Sequence, residues 1–355
     1  MTELKVFLKK GIVGIMVALM ISCNSKKENK VNTTTVRAEQ VVDNAFYNKA
    51  YLELRDMLTG KQEKSMKRAV FLVEWAYERG NLNYEEYSNQ IDQYVRSLQN
   101  FVKEKNVSQY KTAGNFALFE FFTKANKMNG YKSYTYDFED FNGAKDWSKT
   151  FVTKLMRTHT GQCRSLPLFY KILSDELGTL SYLAFAPNHL YIKHLGEDGK
   201  WVNVELTNGH FASDAFIISS TGISAESIKN KIYMDALNDT QNIAFCLSEL
   251  SRGYQHLYGY DDFVLKCCNE SLTYFPNCIT TLLHKYNTLK AQGIKYIKIN
   301  GRKRCAYLDS NFIAFKQTQE RIECLGFREM SAAKYEDWLV DMEKEKEKVQ
   351  KNQKN

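Results

Sequence analysis

Proline is nearly missing from this chain: three residues in 355, at 167, 187 and 276. So few helix breakers, combined with long amphipathic stretches, read as helix over most of the length. None of the eight cysteines forms a CxxC pair, which argues against a zinc site. There is no calcium-binding loop, no localised basic stripe and no nucleic-acid motif. Neither a metal, a cofactor nor a nucleic-acid partner is therefore expected. No apolar run reaches the roughly eighteen residues that a membrane-spanning helix needs. What is present is a globular composition, 44% hydrophobic and 13% aromatic, long enough for two or three modest domains.

The N-terminus stands apart. Lys5, Lys9 and Lys10 precede an uncharged stretch from Gly11 to Ser22. That stretch has the length of a signal-peptide h-region and is too short to cross a bilayer. It ends in Met20-Ile21-Ser22-Cys23, and the chain then turns polar at once, through Asn24, Ser25, Lys26, Lys27 and Glu28. The order resembles the lipobox of bacterial lipoproteins, with Leu19 one place early and Met20 in the usual leucine slot. The resemblance implies a signal peptide over residues 1–22, a lipid on Cys23 and a tether over 23–35. More than one acyl chain on one cysteine suffices for stable membrane anchoring. The expected location is the cell envelope, with the outer membrane or the cell surface favoured over the inner membrane. Loss of residues 1–22 lowers the formal charge from +8 to +6, a mild excess suited to an anionic envelope surface.

Three regions follow. Residues 36–127 read as helices: Met66 to Arg79 has a helical apolar period and Gly80-Asn81 stops it, and Tyr84 to Lys103 behaves similarly. No chemistry is recognisable there, and its aromatics read as core. Residues 128–223 open with a short helix, Asp146 to Arg157, and a loop, Thr158 to Gln162. Cys163 begins a new helix that stops at Gly178, with Pro167 in or just after its first turn, where proline is tolerated. Three strands come next: Leu180 to Ala186, His189 to Leu195 and Lys200 to Leu206, the last two joined by a hairpin turn at Gly196-Glu197-Asp198-Gly199. Residues 224–343 read as helical, and 344–355 as a charged tail. Asp261 to Phe275, followed by Pro276-Asn277, resembles the second helix and terminal proline of a tetratricopeptide repeat. Gly259 falls where the inter-helix turn of such a repeat belongs. There is no clean 34-residue period, so an ordinary helical bundle stands as an equal alternative. Six cysteines (246, 267, 268, 278, 305 and 324) lie in this last third, and sequence alone does not pair them.

The middle region resembles the transglutaminase-like superfamily. The residues that carry the likeness are Gly161-x-Cys163 at a helix start, His189 at the head of the next-but-one strand, and Trp201 and Glu205 on the strand after the hairpin. In that family a cysteine, a histidine and an aspartate hold these places in this order. The likeness covers about sixty to ninety residues and departs at the third position, where Glu205 replaces aspartate. It implies an α+β fold: a helix packed on antiparallel strands, flanked by N-terminal helices and by a C-terminal helical region with tetratricopeptide-like character. It also implies a cysteine peptidase or amidase acting by acyl transfer on a peptide, protein or peptidoglycan-type substrate, with no metal.

The residue chemistry agrees with that expectation. A thiol attacks a carbonyl only as thiolate, and a helix N-terminus and a neighbouring imidazolium both favour the ionised form. Cys163 is placed for the first effect and His189 for the second. A carboxylate on the far ring nitrogen fixes the tautomer. Glu205 is that candidate, with Asn203 or Asn208 as alternatives for orienting the ring. The Cys163 N–H is one oxyanion donor. Gln162 is the candidate for the second, ahead of Trp147, and Trp201 and Asn203 are supporting residues. His159, His194 and His210 compete with His189 but do not match the pattern. Asn208, His210 and Asp214 line a cleft or form a structural turn. Hydrolysis is expected over cross-linking, although these residues do not separate water from an amine as acceptor. The alternative is an inactive surface protein that binds peptide or glycan. A sulfur and an imidazole nitrogen more than about 6 Å apart would favour that binder. A third reading is a helix-repeat scaffold, offering its C-terminal helices to a protein partner and keeping Cys163 occluded.

Overall fold

The computed structural model describes residues 33–301 and 304–329, together with 340, 343, 344, 346 and 347, and describes side chains from Asn44 onward. The expected signal peptide, the lipidation site Cys23, most of the tether and most of the charged tail lie outside the described residues. The described chain is mixed α and β, with small sheets and a helical C-terminal region. Among the described residues, no helix is long and apolar enough to cross a membrane.

Helix α1 spans Thr33–Thr59, so helix already occupies the last three residues expected to be tether. It buries Tyr47, Ala50, Tyr51, Leu54, Met57 and Leu58, a stripe at spacings of three and four. Helix α2, Met66–Tyr77, is capped by Ser65, whose hydroxyl accepts the Arg68 N–H at 3.1 Å. Eight of its twelve residues are buried, which marks it as an interior helix. It ends where Arg79 and Gly80 take positive φ, as the Gly80-Asn81 stop signal predicts. Helix α3, Tyr84–Glu104, buries only Tyr87, Ile91, Val95 and Leu98 and is a surface helix. Helix α4, Ala113–Thr123, completes this group.

The middle region holds two sheets. Strand β1, Thr135–Tyr136, pairs in parallel with β2, Thr160–Gly161. Residues 158–162, expected as a loop, thus contain a short strand. Between β1 and β2 lie a 3-10 turn, Trp147–Thr150, and helix α5, Val152–Thr158. The single helix expected over Asp146 to Arg157 is broken at Phe151, which is extended. The break has a cause: the buried Glu74 carboxylate of α2 accepts the N–H groups of Val152 (2.6 Å) and Thr153 (3.0 Å), capping a fresh N-terminus.

Helix α6, Ser165–Leu177, follows, and every residue from Ser165 to Ser174 is buried. It packs on α2, α3, α4 and α5 and on strands β3, Tyr182–Ala186, and β4, His189–Leu195. An all-round apolar helix needs such a setting. Gly178 ends it in the left-handed region. Strands β3, β4, β5 (Trp201–Glu205) and β6 (His210–Ala212) form an antiparallel meander in that order. The first three match the expected strands, trimmed at their ends. Strand β6 was not foreseen, since the sequence around Asn208-Gly209 reads only as a turn. The outer edge of β3 is covered by the N–H groups of Met234 and Leu237, which bond the carbonyls of Phe185 and Leu183.

After helices α7, Asp214–Thr221, and α8, Ala225–Lys229, come four long helices. These are α9, Asp239–Tyr258; α10, Asp262–Tyr274; α11, Ile279–Asn300; and α12, Ala306–Cys324. Each packs on the next, and α9 also packs on α1 and α2. The three sequence regions therefore share one buried cluster. The seven described cysteines are free thiols, four of them buried.

Glu74 joins the N-terminal helices to the segment that leads into Cys163. Replacing it by alanine leaves two buried N–H groups without an acceptor, at about 1–3 kcal/mol each. Glu74→Ala is expected to lose several kcal/mol in urea unfolding, and Glu74→Gln, which keeps one acceptor, markedly less. Equal midpoints for Glu74→Ala and the parent would contradict this role.

Candidate active site

The turn bearing Cys163 is built from the backbone outward. Tyr136 sits opposite Gly161 in the parallel pair, and the Asp137 N–H donates to the Gly161 carbonyl at 2.6 Å. Lys154 locks the pair, donating to Asp137 Oδ2 at 2.5 Å and to the Thr160 carbonyl at 2.8 Å. Gly161 is required by space: a Cβ there would lie 2.6 Å from Ser165 Oγ and 2.8 Å from Leu155 Cδ1. The Gln162 N–H donates to Ser165 Oγ at 3.0 Å, and Leu166 N–H donates to the Gln162 carbonyl at 3.1 Å. Helical turning thus begins at Gln162. Pro167 has no N–H to return to the Cys163 carbonyl, so the regular ladder of α6 starts only at Ser165. Cys163 does not begin the helix, as its sequence suggested, but lies in the turn just before it. Among the described residues, nothing accepts the Cys163 N–H. The side chain is half-buried and reachable.

His189 faces this turn. It opens β4 after Asn188, whose φ of 56° reverses the chain and whose carbonyl lies 4.0 Å from Cys163 Sγ. His189 Nε2 bonds Glu205 Oε2 at 2.5 Å, and the ring lies near enough to Cys163 for the two to interact electrostatically. The other Glu205 oxygen accepts the Thr207 N–H (3.1 Å) and the Thr207 hydroxyl (2.8 Å). The register explains the reach. Ile192 pairs with Val204, which puts Glu205 across from Tyr191 and diagonal to His189 on the same face. Diagonal neighbours are about 7–8 Å apart, a gap that the extra methylene of glutamate helps to span.

Burial by itself would push the His189 imidazole down. The Glu205 carboxylate and the neighbouring Cys163 outweigh it and raise the ring well above its usual value. Burial would likewise raise the Glu205 carboxyl, but His189 and the Thr207 donors hold it below its usual range. The pair is thus charged in the resting protein, an imidazolium against a carboxylate.

Tyr136 completes the cluster and was missed in the sequence. Its side chain is 7% exposed, lies edge-on to Phe138 at 5.0 Å and is close enough to interact with Cys163. Burial, then negative charge at Cys163 and Glu205, push the phenol well above its usual value, so it is held as a neutral donor. No spacing marks this residue; only the β1–β2 pairing brings it near. Thr207, two residues past Glu205, was missed as well. So was Arg164, whose guanidinium pairs with Glu249 of α9, donates to Thr150 O (3.0 Å) and Oγ1 (2.9 Å), and lies over the Trp147 ring.

Other expected participants lie elsewhere. Gln162 is fully buried; its side-chain N–H is turned toward the Asp140 carbonyl (3.5 Å) and its backbone N–H toward Ser165. Its donors are thus directed away from an oxyanion at Cys163. Trp147 is buried against His256, at 4.6 Å between rings, and between Arg164 and Arg252. Trp201 stands at the opposite end of β5 from Glu205, paired with Leu195 and half-exposed under Lys193. Asn203 donates to Asp214 Oδ1 (2.7 Å) and the Ala212 carbonyl (3.0 Å), so it ties β5 to β6 and α7 rather than orienting His189. Asn208 and His210 bond each other in the turn into β6. His159 caps α5, bonds the Lys132 carbonyl and stacks on Tyr134. His194 bonds the Leu195 carbonyl. Comparison with protein-family models, curated proteins and solved structures gives no match to this chain.

The ion pair makes stability depend on pH. Stability from the lowered Glu205 pKa is present above its ordinary 4.5 and is lost as pH falls through its folded value. Stability from the raised His189 pKa is complete below its ordinary 6.5 and is lost as pH rises through its folded value. Glu205→Gln is therefore expected to lower Tm most between pH 4.5 and 6.5. A parent-minus-variant Tm difference that stays flat from about pH 3 to about pH 9 would refute the pairing.

Proposed function

We propose that this protein is an exported, lipid-anchored cysteine hydrolase of transglutaminase-like type. Cys163 is the nucleophile, His189 the proton carrier and Glu205 the group that orients it. The observation that carries this reading is the Glu205–His189 pair, bonded through Nε2 at 2.5 Å, beside Cys163, whose Sγ lies 4.0 Å from the carbonyl of Asn188, the residue before His189. A binder would not need that contact, and a scaffold would not leave Cys163 reachable.

The reaction is acyl transfer. The Cys163 thiolate adds to an amide carbonyl carbon and forms a C–S bond. The carbonyl electron pair moves to oxygen, where the Cys163 N–H receives it. His189 gives its proton to the amide nitrogen as the C–N bond breaks, and the amine leaves. Neutral His189 then takes a proton from water as the water oxygen adds to the thioester; collapse breaks the C–S bond, releases a carboxylic acid and restores the thiolate beside the imidazolium. Peptides and peptidoglycan-type amides are the proposed substrates, with water favoured over an amine as acceptor. The four C-terminal helices are proposed to have tetratricopeptide-like character and to offer a protein-binding face. Anchoring rests on Lys5 to Cys23, whose order is that of a lipoprotein signal.

The test is alkylation of the full chain by iodoacetamide, read at each cysteine by mass spectrometry. Site resolution matters because Cys305 and Cys324 are also accessible. Cys163 is expected to label fastest and to keep labelling below neutral pH, and His189→Ala to slow it by at least about tenfold at pH 6. A Cys163 rate no greater than that of Cys324, unchanged in His189→Ala, would overturn the hydrolase reading.

A further inference from the structure

The oxyanion of the proposed reaction needs a second donor, since one N–H alone leaves half of its stabilisation unmade. Gln162 and Trp147 are directed elsewhere, as their partners show. We propose that Tyr136 supplies it: the phenolic hydroxyl is the side-chain half of the oxyanion site, opposite the Cys163 N–H. This assignment rests on the cysteine-hydrolase reading above and deepens it.

Three features of the structure place the tyrosine there. The β1–β2 register fixes Tyr136 opposite Gly161, two residues before Cys163, and the Asp137 and Thr135 N–H groups hold that register on either side. The Tyr136 hydroxyl is close enough to Cys163 to interact with the sulfur. In the tetrahedral intermediate the oxyanion sits two bonds from that sulfur, so a short swing of the hydroxyl takes it from sulfur to oxygen. The ring is also held on its edge by Phe138, and a stiff two-torsion side chain pays little entropy to make that swing. The N–H of Cys163, which has no acceptor among the described residues, is the complementary donor. The phenol keeps its proton, as argued above, and so remains a donor when negative charge grows beside it.

The role differs from that of a residue that only holds the thiol. An oxyanion forms when an ester acylates Cys163, but none forms when iodoacetamide alkylates it, because alkylation displaces iodide at a saturated carbon. Comparing the two rates at Cys163 in one protein separates the roles, and the alkylation rate reports whether the variant is folded. For Tyr136→Phe in the full chain, acylation by p-nitrophenyl acetate is expected to fall on the order of 100-fold, with alkylation by iodoacetamide within about threefold of the parent. Parallel loss in both reactions would mean that the hydroxyl positions the sulfur, and would overturn the oxyanion role. Unchanged acylation would overturn it too. A parent protein that is alkylated quickly at Cys163 but never acylated there would overturn the hydrolase reading itself, and the tyrosine assignment with it.

Discussion

The candidate site depends on one buried ion pair that contains none of its proposed chemistry. Arg164 follows Cys163 directly and is paired with Glu249 on α9, a helix 85 residues further along the chain. Both side chains are largely out of water, at 14% and 3% exposure. Arg164 also gives two hydrogen bonds to Thr150 and lies against Trp147. Removing one partner of such a pair leaves an uncompensated buried charge, a cost of about 3–5 kcal/mol. A fork of donors on a planar guanidinium fixes direction as well as distance, which lysine would not do. The turn carrying the thiol is thereby pinned to α9 and to Thr150. Glu74 does the same one element earlier, capping α5 from α2. The helical regions on either side of the core thus hold the platform on which Cys163 stands.

Within that frame the electrostatics are local and mutually consistent. Glu205 is fixed at one oxygen by Thr207, so its other oxygen is presented to His189 without a search over rotamers. His189 is in turn aligned by β4, with Tyr191 stacked nearly parallel two residues on. The imidazolium is stabilised chiefly by the Glu205 carboxylate. Such an arrangement keeps the ring positively charged in the resting state. Glutamate in place of aspartate is compatible with it because the register sets the acid on the diagonal.

Much of the local structure was legible because it follows from short-range rules. The Gly178 stop, the Gly196–Gly199 turn and the strand His189–Leu195 are each encoded within a few residues, and each occurs where expected. The order cysteine, histidine, carboxylate could be read for the same reason: a hairpin of known length sets His189 beside Glu205. What could not be read was long-range. Tyr136 meets Cys163 only through a two-residue parallel pairing, too short to leave a periodic signal. Glu74 and Glu249 look like ordinary helix carboxylates until their partners, 78 and 85 residues away, are known. Pro167 shifted the helix start by removing one ladder bond, a detail that spacing alone does not reveal. Trp201 and Glu205 lie on one face of β5 by strand alternation, but a shared face does not imply a shared end of the strand.

The central claim is that His189 is held as an imidazolium between Glu205 and Cys163, and its ring nitrogens report on this directly. In a 15N NMR titration of the full chain, with His189→Ala used to assign the signals, both ring nitrogens are expected to stay protonated through pH 7. The Nε2 proton should be strongly deshielded by Glu205, and both features should be lost in Glu205→Gln. A neutral ring with one tautomer and an ordinary midpoint near 6.5, insensitive to Glu205→Gln, would contradict the account.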